Sequence, residues 1–337
     1  MKIPFLSCVE YDYENIQYGI PFNEFYQNMD KRYVGFGNSS FFPSYVLTGH
    51  IPSYQSGNDK RVIITGCSDN HFRSIFTNLL SVLNASATIN LVFIDFGLSD
   101  QQLLSLRSSF AYLHKIHLAM NCSSFLAYRK FNFQTAPSWM NIHSSNAHGG
   151  YAWKIISLLD VLDEWKSLTG WMDAGNIVYD GLDTEFNYAT AEGIYTPTRA
   201  KPGDIFGRWT HPKMLQFFYQ YKLITKVNKK SPNCAAGHIF IDYHNQTVRD
   251  AILTPWRHCI YTKRCVLPNR SSRNSHRWEQ AALTTLLQNL NLTYANNPKY
   301  QHFPLIRQEG QSDEFMNDRN ARLNSDICRR NGITITE

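Results

Sequence analysis

Two stretches carry residues that could do chemistry: Tyr151-Ala-Trp-Lys154, and Gly170-Trp-Met-Asp173-Ala-Gly-Asn176. Between them Ile155, Leu158, Leu159 and Leu162 recur at helical spacing, which puts Lys154 near the start of a helix. The helix then feeds a short apolar run that reads as a buried strand and ends in the acidic turn at Asp173. In α/β sheets ligands gather at the carboxyl ends of strands. A lysine there suits an anionic ligand and an aspartate suits a cation. A cation in a first helical turn also opposes the helix dipole, which an anionic partner such as a diphosphate would offset. The bland reading is that Asp, Gly and Asn make a turn and Lys154 is a solvated charge.

The elements that would position these residues alternate. Val62-Ile-Ile-Thr-Gly66 reads as a buried strand, and Asn70 to Leu83 as an amphipathic helix through Phe72, Ile75, Phe76, Leu79 and Leu83. Ile89 to Phe96 is a second buried strand with Asp95 at its end. Ser99 caps a helix through Leu103, Leu104 and Leu106, and His114 to Met120 alternates as a third strand. Later, Gly193-Ile-Tyr-Thr196 and Gly237-His-Ile-Phe-Ile241 look like strands, with Arg199, Arg208, Trp209 and His211 in a loop-rich stretch between them. A strong helix runs from His276 to Leu290, with Glu279 in its first turn. Strands alternating with helices predict an α/β fold with a mostly parallel central sheet flanked by helices, in a single large domain. Residues 1–58 read as an irregular aromatic arm, 59–310 as the domain and 311–337 as a tail.

Composition bounds the function classes. In 337 residues, 43% hydrophobic and 14% aromatic, there is ample material for a core. The net charge of +6 is dispersed, which argues against a nucleic-acid partner. No apolar run approaches the roughly eighteen residues of a membrane span, and Met1 to Cys8 is too short for a signal peptide. Cys259 and Cys265 could close a small loop as a disulfide or remain two buried thiols. Asn-x-Ser/Thr sequons stand at Asn38, Asn84, Asn121, Asn245, Asn269 and Asn291. There is no Gly-x-Gly-x-x-Gly and no phosphate-binding Gly-x-x-x-x-Gly-Lys-Ser/Thr, so dinucleotide and P-loop enzymes are disfavoured.

Taken together, Arg61 to Phe303 resembles the GT-A fold nucleotide-sugar glycosyltransferases, in a broadly glycogenin-like arrangement. The resemblance rests on four features: the opening strand with Cys67-Ser-Asp69-Asn70 after it, the Lys154 helix before the Asp173 turn, Gly237 opening a mid-chain strand, and Glu279-Gln280 starting a late helix. It implies a nucleoside diphosphate sugar as donor, most readily a UDP-sugar, and a glycan or glycoprotein as acceptor. It implies nucleotide contacts from Thr65, Gly66, Asp69, Asp95, Lys154 and Asp173, and catalytic roles for Glu279 and Gln280, with Trp278 or Trp209 as sugar-stacking surfaces. It further implies Mn²⁺ or Mg²⁺ on Asp173, with Asn176 or His302 as a second ligand. One departure stands out, since the usual Asp-x-Asp turn has Gly175 at its third position here. Two alternatives follow: a GT-A-fold carbohydrate-binding protein with impaired catalysis, and a glycoside hydrolase, which would need a second acid facing Glu279. The sequons and the cysteine pair point to the secretory lumen, the Golgi first and the cytoplasm as alternative.

Overall fold

A computed structural model describes residues 61–86, 89–119, 126–143, 147–178, 182–197 and 205–292, together with the short strands Tyr33–Val34, Leu47–Thr48 and Leu305–Arg307. The strands in chain order are β1 (Tyr33–Val34), β2 (Leu47–Thr48), β3 (Arg61–Cys67), β4 (Asn90–Asp95), β5 (Leu126–Phe131), β6 (Leu168–Asp173), β7 (Asn176–Val178), β8 (Ile194–Tyr195), β9 (His238–Asp242) and β10 (Leu305–Arg307). The helices used below are α1 (Ile75–Ala85), α2 (Asp100–Ala119), α3 (Ala152–Trp165), α4 (Leu182–Glu192), α5 (Pro212–Gln220), α6 (Thr254–Ile260), α7 (Lys263–Val266) and α8 (Trp278–Asn289).

The main sheet runs β1-β5-β4-β3-β6-β9-β8, with β2 also on β5. Its centre is parallel: β3 pairs with β4 and β6, and β4 with β5. On the far side β9 runs antiparallel to β6, and β8 antiparallel to β9. Both faces are covered, which is why β3 and β4 are apolar runs rather than alternating ones. Val62 and Ile64 turn toward the layer containing Trp153, Trp256 and Leu283 from α3, α6 and α8. Ile63 and Cys67 turn toward the layer containing Leu79, Leu106 and Phe186 from α1, α2 and α4. The parallel order places the ends of β3, β4 and β6 side by side, with Cys67 opposite Asp95 and Gly66 opposite Asp173.

One expected element is corrected. His114 to Ala119 is not a third strand but the last turns of α2, and the third parallel strand is β5. Leu103, Leu106, Phe110 and Leu113 are buried at helical spacing, and no Gly or Pro interrupts the chain before Ala119, so the helical period overrides a local two-residue alternation. The helix opens as expected at Ser99: its Oγ accepts from the Gln102 amide at 3.3 Å, while Gln102 Oε1 accepts from the Ser99 amide at 3.0 Å. Cys259 and Cys265 form a disulfide that ties α6 to α7, with a Cα separation of 5.2 Å.

Close packing at the strand ends depends on Gly66. A Cβ there would lie 2.4 Å from the Ile94 carbonyl oxygen and 2.6 Å from the Phe96 ring. Gly66→Ala is expected to lower stability by about 1–3 kcal/mol, the usual cost of overpacking. Urea unfolding measures this, and an unchanged midpoint would mean that the strands have room to part.

Candidate active site

The site is organised by a buried ammonium group. Lys154, in the first turn of α3 and 4% exposed, donates to the Ala236 carbonyl at 2.6 Å and lies 2.9 Å from Asp173 Oδ1 and 3.8 Å from Glu279 Oε1. Its charge also sits 5.6 Å from the centre of the Trp171 ring, within cation–π range. Three acceptor groups around three N–H donors leave the lysine little to offer a ligand. Lys154 therefore acts here as the cation that draws two carboxylates from distant parts of the chain together.

Each partner is held in turn. Trp171, two residues before Asp173 and so on the same face of β6, donates its indole N–H to Asp173 Oδ1 at 2.7 Å. The Asp173 amide donates to the Gly237 carbonyl at 2.8 Å, and Asn176 Nδ2 donates to the same carbonyl at 2.6 Å. Asn78 of α1 donates to the Asn176 carbonyl at 2.7 Å. These bonds lock the turn, while Asp173 keeps 28% of its side chain exposed and its Oδ2 turned toward Gly237. Glu279 is 6% exposed, and burial pushes its carboxyl up to about 7; Lys154 pulls it down and Asp173 pushes it further up.

α3 is pinned at both ends. At its C-terminal end Glu164 accepts from Arg129 of β5 at 2.8 Å, and Asp163 pairs with Arg257 of α6. At its N-terminal end the chain makes a left-handed turn, with φ of 46, 62, 59 and 55° at His148, Gly149, Gly150 and Tyr151. Only glycine fits at 149, where a Cβ would sit 2.1 Å from the Met140 carbonyl oxygen. Tyr151 has no such freedom, nor does Trp278 (φ 40°), the first residue of α8. A left-handed non-glycine residue costs on the order of 1–3 kcal/mol and persists where its surroundings over-determine it. Here the two strained aromatics pack on each other, ring centres 5.6 Å apart, one three residues before Lys154 and the other one before Glu279. That contact sets the spacing between lysine and glutamate. It was not foreseen from the sequence, where Gly149-Gly150 ahead of a helix was the available signal.

The other expected site residues fall elsewhere. Asp95 is fully buried; Oδ1 accepts from the Gly97 and Leu98 amides, each at 2.7 Å, and Oδ2 accepts from the Tyr128 hydroxyl at 2.7 Å, so it closes a turn and is not turned to a nucleotide. Thr65 is buried within β3, and Gly66 lies under Phe96. Asp69, just past β3, is exposed. Gln280 is 8% exposed and its Nε2 donates to the Cys234 carbonyl, which makes it a tie between α8 and the approach to β9. Trp278 is buried against Tyr151, and Trp209 has the guanidinium of Arg277 over its ring at 4.5 Å and that of Arg208 at 5.0 Å, so neither offers a free face to a sugar. His302 lies outside the described residues.

The described residues do not fit a divalent cation as a centre of their own. Asp173 Oδ1 is taken by Lys154 and Trp171, Asn176 is 2% exposed and committed to Gly237, and Gly175 supplies no oxygen from a side chain. At most the described residues add Oδ2 of Asp173, one oxygen where Mg²⁺ or Mn²⁺ takes about six. Asp173 is an acidic neighbour of Glu279, but both carboxylates face the ammonium of Lys154 between them, where a hydrolase pair requires a sugar.

No protein-family model matches the sequence, and no curated protein does. Among solved structures, the chain superposes on the WbbM bifunctional glycosyltransferase with a TM-score of 0.50 at 12% identity, covering 83% of this chain and 53% of that one, about half its length. It also matches the Saccharomyces cerevisiae mannosyltransferase Ktr4p in complex with GDP (TM-score 0.44, 9% identity, 79% of this chain and 75% of that one) and mouse xyloside xylosyltransferase 1 (0.42, 9%, 68% and 81%). The fold is the GT-A glycosyltransferase fold that the sequence resemblance implies.

Removing Lys154 leaves two carboxylates without their cation. Lys154→Met is expected to cost about 3–5 kcal/mol at pH 8, the usual penalty for breaking a buried pair, and clearly less at pH 5. The sign follows from Glu279: its folded-state pKa is raised to about 7, so at pH 5 it is protonated and needs no partner. Urea unfolding at the two pH values tests this, and equal losses would show that Lys154 does not hold Glu279.

Proposed function

We propose that the protein is a glycosyltransferase that moves a sugar from a nucleoside diphosphate sugar to a glycan or glycoprotein acceptor. A UDP-sugar is the first donor to try and a GDP-sugar the second. One observation carries the reading: in a GT-A fold, Asp173 and Glu279 meet on Lys154 at the carboxyl ends of the parallel strands.

Breaking an anomeric bond builds positive charge on the sugar and negative charge on the departing diphosphate, so groups fixed before the reaction are worth most. Lys154 and Trp171 hold Asp173 in one orientation, its side chain 28% exposed on the side where hydroxyls or cationic character of the sugar would come. Glu279, poised near 7, can take a proton from an acceptor hydroxyl close to physiological pH. Lys154 stabilises that ionised form. No step is assigned to a metal, because the described donor set does not hold one unaided. The bridge between Cys259 and Cys265 and the exposed sequon residue Asn291 support a place in the secretory lumen, most readily the Golgi.

A second reading has one feature in its favour. With Lys154 on the Asp173 oxygen and Gly175 in place of a second acid, the chain could bind sugar nucleotide without turning it over. Release of UDP or GDP from a panel of donor sugars, with Mn²⁺ and with EDTA, separates the two. We expect slow release that drops at least about a hundredfold in Asp173→Ala. The rate should rise with pH through about 7, and the rise should vanish in Glu279→Gln. Binding of UDP or GDP with no release from any donor would establish the second reading instead, and no binding would remove both.

A further inference from the structure

A second concave site lies apart from the Lys154 cluster. A cleft of about 310 Å³ is lined by Lys213, Gln216, Phe217 and Gln220 of α5, by Arg264 of α7, and by Pro268 and Asn269. Among the described residues its charges are two cations, with no acid in the lining. Three amide side chains stand beside them, and among the described residues the side chains of Lys213, Gln216, Gln220 and Asn269 have no hydrogen-bond partner in the protein.

Arg264 is set in place before any ligand arrives. Its guanidinium lies over the rings of Phe217 (5.6 Å) and Tyr221 (5.4 Å), and one N–H donates to the Tyr221 hydroxyl. Phe217 and Tyr221 are themselves in contact at 4.7 Å, and His258 of α6 packs on both rings. The next residue, Cys265, is bridged to Cys259. A stacked guanidinium loses one face to water while the rest of its planar fork stays free, the geometry that reads a carboxylate or sulfate through two parallel hydrogen bonds.

The cleft is joined to the start of α8. The His211 amide donates to His276 Nδ1 at 3.2 Å, and His276 Nε2 meets the Val266 carbonyl at 3.1 Å. With Nδ1 accepting, Nε2 must carry the proton; burial, which lowers His276 to about 4, keeps the ring in that neutral form. Arg277, next in the chain, donates its amide to Trp209 O at 2.9 Å, and Glu279 follows two residues on.

From this geometry we infer that the α5–α7 cleft is a subsite for an anionic saccharide unit, one hexose-sized residue bearing a carboxylate or sulfate, on the acceptor glycan. Arg264 takes the anionic group, Lys213 adds a point charge, and Gln216, Gln220 and Asn269 take hydroxyls. The volume is at the low end for small-molecule sites, which suits one or two sugar rings. Two cations are too few to hold a nucleic acid against salt. Calling the ligand an acceptor rests on the transferase reading; the binding site itself does not.

The test uses the full chain from a host that attaches no N-glycans, because Asn269 begins an Asn-Arg-Ser sequon. Calorimetric titration with trigalacturonate, a sulfated galactotriose and neutral galactotriose should show at least tenfold tighter binding of one or both acidic sugars. Arg264→Gln and Lys213→Gln should each weaken that binding about tenfold, with Arg264→Lys restoring only part because it lacks the fork. Both positions are exposed, and circular dichroism confirms that the variants are folded. Without acceptor, nucleotide release should be the same in Arg264→Gln as in the parent. Equal binding of acidic and neutral sugars, no binding of either acid, or full binding by both Gln variants overturns the subsite. Acid binding without nucleotide release leaves the subsite standing and removes the transferase; release without acid binding does the reverse.

Discussion

The ammonium group of Lys154 is the constraint around which the rest of the site is arranged. A lysine at 4% exposure has lost most of its hydration, and only nearby negative groups can make that tolerable. Asp173 and the Ala236 carbonyl do so directly, with Glu279 slightly further off. The cluster crosses four parts of the chain: the start of α3, the end of β6, the approach to β9 and the start of α8. Its strength depends on those segments being fixed, because attraction between buried charges falls off as soon as the geometry loosens.

The fold supplies that fixity by different means at each point. The end of β6 is held by its sheet neighbours and by the bonds from Asp173 and Asn176 to Gly237. α3 is anchored by two arginine–carboxylate pairs at one end and a left-handed turn at the other. α8 begins at a strained Trp278 that leans on the equally strained Tyr151. Strain at both helix starts, next to the residues that meet, is the pattern expected where position is specified at the expense of stability. The same packing removes Trp278 from the list of surfaces a sugar could use.

A parallel sheet with both faces covered explains where a site can form but not what it does. The superposition with WbbM concerns the course of the chain, and at 12% identity it says nothing of individual side chains. The chemistry has to be argued from Asp173 and Glu279. One carboxylate is partly exposed, and the other is nearly closed and poised near neutrality, a division of labour that comes from burial and from their unequal distances to one lysine. On the α5–α7 side, a different device serves: stacked aromatics and a disulfide hold a single arginine at the surface.

What the sequence determined by itself was periodic or local. The buried runs of β3 and β4, the Ser99 cap, the apolar stripe of α3 and the acidic turn after β6 were legible because hydrophobic spacing and capping chemistry act within a few residues. The alternation of His114 to Met120 misled for the same reason, since a local pattern cannot show that a helix already running will continue through it. Lys154, Asp173 and Glu279 could be singled out by type, but not that the lysine would be consumed by the two acids. Nor could the sequence show that Asp95, at a strand end like Asp173, would be sealed by Tyr128 and two backbone amides. Those outcomes were decided by tertiary structure, because whether a charged group faces water or a partner depends on which distant segments pack beside it, and that is set by the sheet order and by the contacts between helices.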